Sequence, residues 1–307
     1  MSSRPDVTLA QLEALIAAGD AGSVSTAAAM LHTSQSNLSI SLGNLERRLG
    51  VELLVRHRSK GVSLTAIGRK ISIRARDILE AVHGLQDAAR GELDELEGEV
   101  RIGCYLPLTP FYIPRLMADL REGSPHTRLA ITEGSQDVLQ RAVLDGELDL
   151  ALVYDQSLPD QLDFHHLAYV WPYVIAAPAS EIGASEQVSL LELSAYTMVN
   201  YETAFTAARS LDLFRSAGAP LPAEVRATSL DSVRALVAAG VGFSILNQRW
   251  GTDLTADGAR VVSIELSDQV TPLGLGVLTR PSTRSAKVST VISLLGAHAK
   301  ERHSARE

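Results

Sequence analysis

The stretch GSVSTAAAMLHTSQSNLSISLGNLERRLGVELLVRHRSKGVSLTAIG, Gly22 to Gly68, decides how the amino-terminal third of this chain folds. A short helix following Ser25 carries Ala27, Ala28 and Leu31 on one side. A second helix is capped by Ser34, repeats Leu38, Leu42, Leu45 and Leu49 at helical spacing, and stops at Gly50. Only His32 and Thr33 stand between the two, and the small alanines let the helices cross closely, which is the spacing of a helix-turn-helix. Beyond Gly50, the run VELLVRHRSKGVSLT sets a basic tip, Arg56 to Gly61, between two short apolar segments and predicts a hairpin or wing.

Upstream of that stretch, Thr8-Leu9-Ala10-Gln11 reads as a capping box that starts a helix with Leu9, Leu12, Leu15 and Ile16 on its apolar face. Downstream, Thr65 caps a long helix through about Arg90, whose stripe of Ile67, Ile71, Ile78, Val82, Leu85 and Ala89 demands a partner. The acidic GELDELEGE, Gly91 to Glu99, reads as a linker. From Val100 the register changes. Apolar runs at Val100 to Ile102, Leu129 to Thr132 and Leu150 to Val153 alternate with helical stretches, a βαβαβ pattern that predicts a parallel sheet. A second series runs from Tyr173 through Leu246, followed by strands near Val261 to Ile264 and Leu273 to Leu278 and a helix from about Thr283. Two α/β lobes with a cleft between them fit this order.

The charge is divided in the same way. The chain of 307 residues has a net charge of −8, yet residues 1 to 90 hold 11 Lys and Arg against 8 Asp and Glu, while the remainder holds 17 against 28. Only the amino-terminal third suits phosphate. The single cysteine, Cys104, excludes an internal disulfide and a cysteine zinc cluster. The amino terminus lacks the pattern of a secretory signal and no run approaches a membrane span, so a cytoplasmic protein is expected. Enzymatic signals are weak. His165 and His166 point to opposite faces of a strand, Gly240-Val-Gly242 and Gly274-Leu-Gly276 lack the rest of a dinucleotide fingerprint, and no Gly-x-Ser-x-Gly elbow occurs. No catalytic residue, metal or cofactor is expected.

The whole span Gly22 to Gly68 resembles the winged helix-turn-helix of the LysR-type transcriptional regulators: Gly-Ser before an Ala-Ala helix, Ser-Gln-Ser opening the recognition helix, Leu-Glu-Arg-Arg-Leu-Gly closing it, and Leu-Thr-Ala-Ile-Gly starting the linker helix. GEVRIG at Gly98, GELDLAL at Gly146 and VRALVAAGVGFSIL at Val233 resemble the effector-binding region of the same family. The resemblance implies an α+β multidomain chain: a mainly α winged helix-turn-helix over 1–64, a dimerising linker helix over 65–92, and a two-lobed α/β domain of the periplasmic-binding-protein type over 93–307. Lobe I is expected at about 98–163 and 268–305, and lobe II at about 164–267.

A recognition helix meets base edges with its first turns. Ser34, Gln35, Ser36, Asn37 and Ser39 hold those positions, the amides of Gln35 and Asn37 match adenine, and Ile40 can touch a thymine methyl. The plain alternative is a capped, solvated surface helix. The chain departs from the resemblance at Ile40 and Gly43, where family members usually carry basic or more polar residues, so phosphate contact falls to Arg47, Arg48, Arg56, Arg58 and Lys60, with Arg69 nearby.

Ligands of parallel sheets lie beyond the strand carboxyl ends. That rule selects Cys104, Tyr105, Thr109 and the stretch Glu133 to Gln136, which includes Ser135, in one lobe, and Asn200, Tyr201, Glu202, Thr203, Thr228 and Phe243 in the other. No Arg or Lys occupies those loops, so the reading favours a neutral or zwitterionic aromatic effector. The expected partners are a double-stranded operator with an interrupted palindrome, an unidentified small molecule, and further copies of the chain as a dimer or tetramer. An effector-independent repressor and a solute-binding protein are the alternatives.

Overall fold

The structure is a computed structural model describing residues 7–57, 61–90, 98–201, 204–281, 283 and 285–303. Its first unit packs α1 (Leu9–Ala21), α2 (Val24–Met30) and α3 (Gln35–Leu49) around buried Leu15, Ala18, Ala27, Leu38, Leu42 and Leu45. Each buried leucine contributes roughly 1.5–3 kcal/mol, and the alanines let the helices approach. The capping box of Thr8 and Gln11 is formed in both directions. α2 begins at Val24 under a Ser23 cap, earlier than the expected start after Ser25, and the turn to α3 comprises residues 31–34.

The wing is β1 (Leu54–His57) paired antiparallel with β2 (Gly61–Leu64). Its base is stitched to the helices by one carboxylate and one backbone bond that explain the sequence motif. Glu46 Oε1 accepts from the amides of Leu53 (2.8 Å) and Leu54 (3.1 Å), and Val62 N donates to Gly22 O at 2.8 Å. Gly61 has φ +82°, and a Cβ there would stand 2.1 Å from Gly22 O. A Cβ on Gly68 would meet Leu53 O at 2.1 Å, which accounts for the glycine of Leu-Thr-Ala-Ile-Gly. Thr65 Oγ1 accepts from Gly68 N at 2.9 Å and starts α4 (Ala66–Arg90). Along α4, Arg76 pairs with Asp20 of α1, Asp77 lies 3.7 Å from Arg280, and Ile73 packs over Gly146. Ile67 and Ile78 remain exposed; the side chains of Leu85 and Ala89 lie outside the described residues.

Lobe I is built from β3 (Gly98–Tyr105), α5 (Thr109–Gly123), β4 (Thr127–Gly134), α6 (Gln136–Leu144), β5 (Leu150–Tyr154) and β6 (Asp163–Val170). The chain then crosses through Trp171 and Pro172 into lobe II. There it forms β7 (Tyr173–Ala176), β8 (Gln187–Val188), α7 (Leu190–Leu193), β9 (Met198–Tyr201), α8 (Ala204–Ser216), β10 (Glu224–Ala227), α9 (Leu230–Ala238), β11 (Ser244–Leu246) and β12 (Val262–Leu266). It returns as β13 (Leu273–Thr279) and ends in α10 (Ala286–His303).

Lobe I has the strand order β4-β3-β5-β13-β6; β3, β4 and β5 run parallel, and β13 is antiparallel to both neighbours. The parallel βαβαβ arrangement expected for β3, β4 and β5 is present, and the sheet becomes mixed at β13, because the chain re-enters from lobe II in the opposite sense. For the same reason lobe II does not begin at about 164. β6 pairs with β13 along its whole length and belongs to lobe I up to Val170. Lobe II holds the sheet β11-β7-β12-β8 and the parallel pair β9-β10, joined by a bridge from Met198 to Phe243. Asp149, from the Gly-Glu-Leu-Asp motif, accepts from Arg101 N at 2.8 Å and ties the start of β5 to β3.

Candidate nucleic-acid interface and effector cleft

Ser34 Oγ accepts from Asn37 N at 3.1 Å and lies 2.9 Å from Ser36 Oγ, so these hydroxyls set the first turn of α3. The side chains of Gln35 and Asn37 are exposed and make no hydrogen bond among the described residues. Because Leu38, Leu42 and Leu45 face inward, Ser36, Ile40, Gly43 and Arg47 share the outward face. Ser39 is half-buried beside them, and Ile40 is 61% exposed. An apolar side chain this open at the middle of a polar face suits a thymine methyl better than it suits water. A Cβ on Gly43 would meet nothing within 4 Å, so the glycine leaves a shallow gap along that face.

Arg47 and Arg48 close the last turn of α3, both exposed, with Arg47 bonded to Asn44 Oδ1. Their charges favour the carboxyl end of the helix dipole as well as phosphate. Arg56 is exposed on β1. Arg58 and Lys60, expected at the wing tip, lie outside the described residues. Arg69 is exposed and donates from Nη1 to Leu64 O at 2.9 Å.

The second site lies between the lobes. Its wall takes Tyr105, Gln136, Tyr154 and Gln156 from lobe I, Asn200, Tyr201, Arg209 and Ser210 from lobe II, and Asn247, Gln248 and Trp250 from the loop after β11. About 40 Å³ is open to a guest, room for a few waters. Its polar groups are largely satisfied by one another. Gln136, the first residue of α6, donates to Tyr154 O (3.0 Å) and Gln156 O (2.7 Å) and accepts from Tyr154 N (3.1 Å). Gln248 donates to Tyr154 Oη at 3.2 Å and accepts from Tyr112 Oη at 3.4 Å. Tyr173 Oη donates to Gln248 O at 3.0 Å. Burial raises the Tyr112, Tyr154 and Tyr173 hydroxyls well above the ordinary phenol, so all three stay protonated.

Of the residues expected here, Tyr105, Gln136, Asn200 and Tyr201 line the cleft. Tyr105 stands edge-on to Tyr154 with centroids 5.9 Å apart, and Asn200 Nδ2 donates to Glu224 Oε1 at 2.8 Å. Six others do not line it. Cys104 is wholly buried within lobe I, because successive residues of a strand alternate faces and Tyr105 takes the cleft. Thr109 sits a turn farther on at the start of α5 with its hydroxyl buried. Glu133 is exposed on edge strand β4, Ser135 caps α6 behind Gln136, and Thr228 is exposed past β10. Phe243 packs into lobe II against Phe214, at 6.4 Å between centroids, held inward where the backbone bridges β9. Glu202 and Thr203 lie outside the described residues.

Arg209 corrects the expectation of a cleft without Arg or Lys. It comes from the second turn of α8 rather than from a strand-end loop, donates to Thr271 O, and has its pKa lowered by burial. Gln248 and Trp250 were likewise invisible to the strand-end rule, whereas Gln136 closes the stretch Glu133 to Gln136 that the rule selects.

Comparison with known proteins identifies the two parts of the chain in which these residues lie. Residues 9–69 match the family model for the bacterial regulatory helix-turn-helix protein, lysR family, and residues 93–300 match the LysR substrate binding domain. The chain is 30% identical over 248 residues to a probable hydrogen peroxide-inducible genes activator of Mycobacterium leprae, covering 78% of each. Its fold is similar to HinK, a LysR family transcriptional regulator from Pseudomonas aeruginosa, with 26% identity, a TM-score of 0.63, and coverage of 96% of this chain and 99% of that one. It is also similar to a full-length OxyR variant from Pseudomonas aeruginosa, at 21% identity and a TM-score of 0.76, covering 98% and 97%.

Proposed function

Because the chain belongs to the LysR family of transcriptional regulators, we propose that it reads operator DNA with the opening turn of α3 and answers to a small polar molecule held between its lobes. The observation that carries the reading is the pair of exposed, unbonded amides at Gln35 and Asn37, set by the Ser34 cap and flanked by Ile40, Arg47, Arg48 and Arg56. Base edges take the amides and the isoleucine, and phosphates take the arginines. Residues 1–64 bind DNA, 65–92 pair two copies through α4, and 93–307 bind the effector, with lobe II beginning at the Trp171 crossover. Two-fold pairing requires an interrupted palindrome. The exposed Ile67 and Ile78 of α4 support the pairing.

The cleft favours a small effector with at most one negative charge: its open space is slight, amides and phenols dominate its wall, and Arg209 is its only Lys or Arg among the described residues. A ligand acts by binding one lobe arrangement more tightly than another. The peroxide cue in the name of the mycobacterial relative does not suit this chain through a thiol. Its only cysteine, Cys104, is wholly buried, and burial pushes the thiol up to about 12. The non-enzyme reading rests on the family, whose members are regulators. Operator DNA implies a cytoplasmic site of action, and no helix among the described residues is long and apolar enough to cross a membrane.

The deciding experiment is competition binding of the full chain to the promoter region of its neighbouring genes against random duplex. A preference that disappears in the Gln35→Ala/Asn37→Ala variant supports the reading. No preference in the unaltered chain at low salt sinks it.

A further inference from the structure

A second cleft, of about 510 Å³, opens beside the first crossover between the lobes. Lobe I contributes Tyr169 from β6 and Arg302 and His303 from the end of α10, lobe II contributes Arg249 and Trp250, and Trp171 lies in the crossover itself. Its size is that of a small-molecule site, larger than the closed space of the inter-lobe pocket. Tyr169 is 57% exposed and Trp171 is 41% exposed, so aromatic surface stands open here. Trp250 is a fixed wall: the Arg234 guanidinium stacks on its ring at 4.4 Å and Phe111 meets it edge-on at 5.6 Å.

The charges at the cleft can be matched one by one. None of its lining residues is acidic. Arg249 is paired with Glu265 and lies over the Tyr173 ring. His303 Nε2 is 2.9 Å from Tyr112 Oη, and burial, then the charge of Arg302, pull the imidazole down to about 4, which leaves it neutral near pH 7. Arg302 is the remaining cation. It lies over Phe111 at 4.4 Å and donates to Gln248 Oε1 at 3.4 Å and to the Arg249 carbonyl, both neutral acceptors; no carboxylate pairs with it among the described residues. Of its five N–H donors, three remain, held in place by the stacking and the two bonds.

We propose that this cleft binds an aromatic monocarboxylate, with the ring against Trp171 and Trp250 and the carboxylate on Arg302. One unmatched cation selects one negative charge, and the aromatic walls select a planar apolar body. The site is distinct from the inter-lobe pocket but shares a wall with it, since Asn247 and Trp250 line both. Its lining spans both lobes, so an occupant favours the lobe angle at which both sides touch it.

Trp171 and Trp250 are the only tryptophans in the chain, so intrinsic fluorescence reports on this cleft directly. The full chain is titrated with benzoate, with uncharged benzamide and with the dianion phthalate, following tryptophan emission and heat. Benzoate is expected to give a saturable change with a Kd below about 1 mM, and the other two at least about tenfold weaker binding. Arg302→Gln is expected to weaken benzoate about tenfold while Arg209→Gln, in the inter-lobe pocket, leaves it unchanged. Trp171→Ala, on an exposed side chain, is expected to weaken benzoate in heat measurements as well. The proposal is overturned by no saturable change up to about 10 mM, by equal binding of benzamide, or by a signal that survives Arg302→Gln and is lost in Arg209→Gln. The last result would move the ligand to the inter-lobe pocket and leave the regulatory reading intact.

Discussion

The dipeptide Ser-Gln opens two helices in this molecule, at Ser34-Gln35 of α3 and at Ser135-Gln136 of α6. Each serine is the residue before the helix and each glutamine its first residue, yet the two amides serve opposite ends. Gln35 is exposed and its side chain has no bond among the described residues, whereas Gln136 is buried and makes three bonds to the backbone of Tyr154 and Gln156. The difference comes from what lies across from the helix. α3 packs on its own module and leaves its first turn open, while α6 abuts the end of β5 and is closed over by lobe II. An open amide is available for an external partner, and a closed one stabilises the fold and presents only what it has left over.

The largest effect expected from this contrast is on DNA discrimination. Replacing Gln35 and Asn37 by alanine removes groups that each distinguish a base by about 1–3 kcal/mol, so preference for operator over random duplex is expected to fall by about thirtyfold or more, about fivefold or more per amide. The melting temperature is expected to stay unchanged, because neither side-chain amide bonds to another of the described residues. Fluorescence anisotropy with competitor duplex reads the first quantity and calorimetry the second. A large loss of stability would break the contrast at its open end.

Gln136→Leu is the mirror experiment and acts on stability. It keeps the volume roughly but leaves the buried Tyr154 N and O without the amide, at about 1–3 kcal/mol for an orphaned buried group, while Gln156 O keeps Gln140 Nε2 at 3.3 Å. Urea unfolding is expected to shift by that order while affinity for random duplex is retained. If Gln136→Leu is neutral, the self-satisfied network around Tyr154 is not what keeps the inter-lobe pocket closed.

The same contrast explains how much was legible in the sequence. The helix-turn-helix was read from Gly22 to Gly68 because its functional residues point outward from a local motif, and even its structural glycine, Gly68, sits where a tight backbone approach requires it. The pocket was read in part. Tyr105, Gln136, Asn200 and Tyr201 lie at or after strand ends and were found by that rule, but Phe243 follows the same kind of signal and turns into the lobe II core. Gln248 and Trp250 come from a loop whose place is fixed only when α10 and lobe II meet, and Arg209 from a helix face, so no local spacing reveals them. The lobe boundary was missed for a similar reason: β6 continues lobe I because β13, more than a hundred residues later in the chain, pairs with it.

A third measurement separates affinity from discrimination within the open region. Arg47→Gln, Arg48→Gln and Arg56→Gln are each expected to weaken operator and random duplex alike and to lower the slope of log affinity against log salt by about 0.9 per lost phosphate contact. An arginine whose removal changes base preference instead belongs with Gln35 and Asn37. An arginine whose removal changes neither serves only the carboxyl end of α3, where its charge favours the helix by about 0.3–1 kcal/mol.

The smallest effect is a pH dependence at the closed end, where α10 meets the lobes. Burial first, and the Arg302 charge second, bring His303 down from 6.5 to about 4 in the folded chain. Between those values the unfolded chain binds a proton that the folded one does not, so stability rises with pH across this window. The contribution is therefore complete above about 6.5 and is lost as pH falls toward 4. His303→Gln keeps a partner for Tyr112 Oη but cannot titrate. Its melting temperature is expected to fall less than that of the unaltered chain between neutral pH and about pH 5, where much of the proton uptake by the unfolded histidine has occurred. Equal slopes in the two proteins would mean that α10 lets water reach the imidazole, and the closed end of the molecule would then resemble the open one more than its buried bonds suggest.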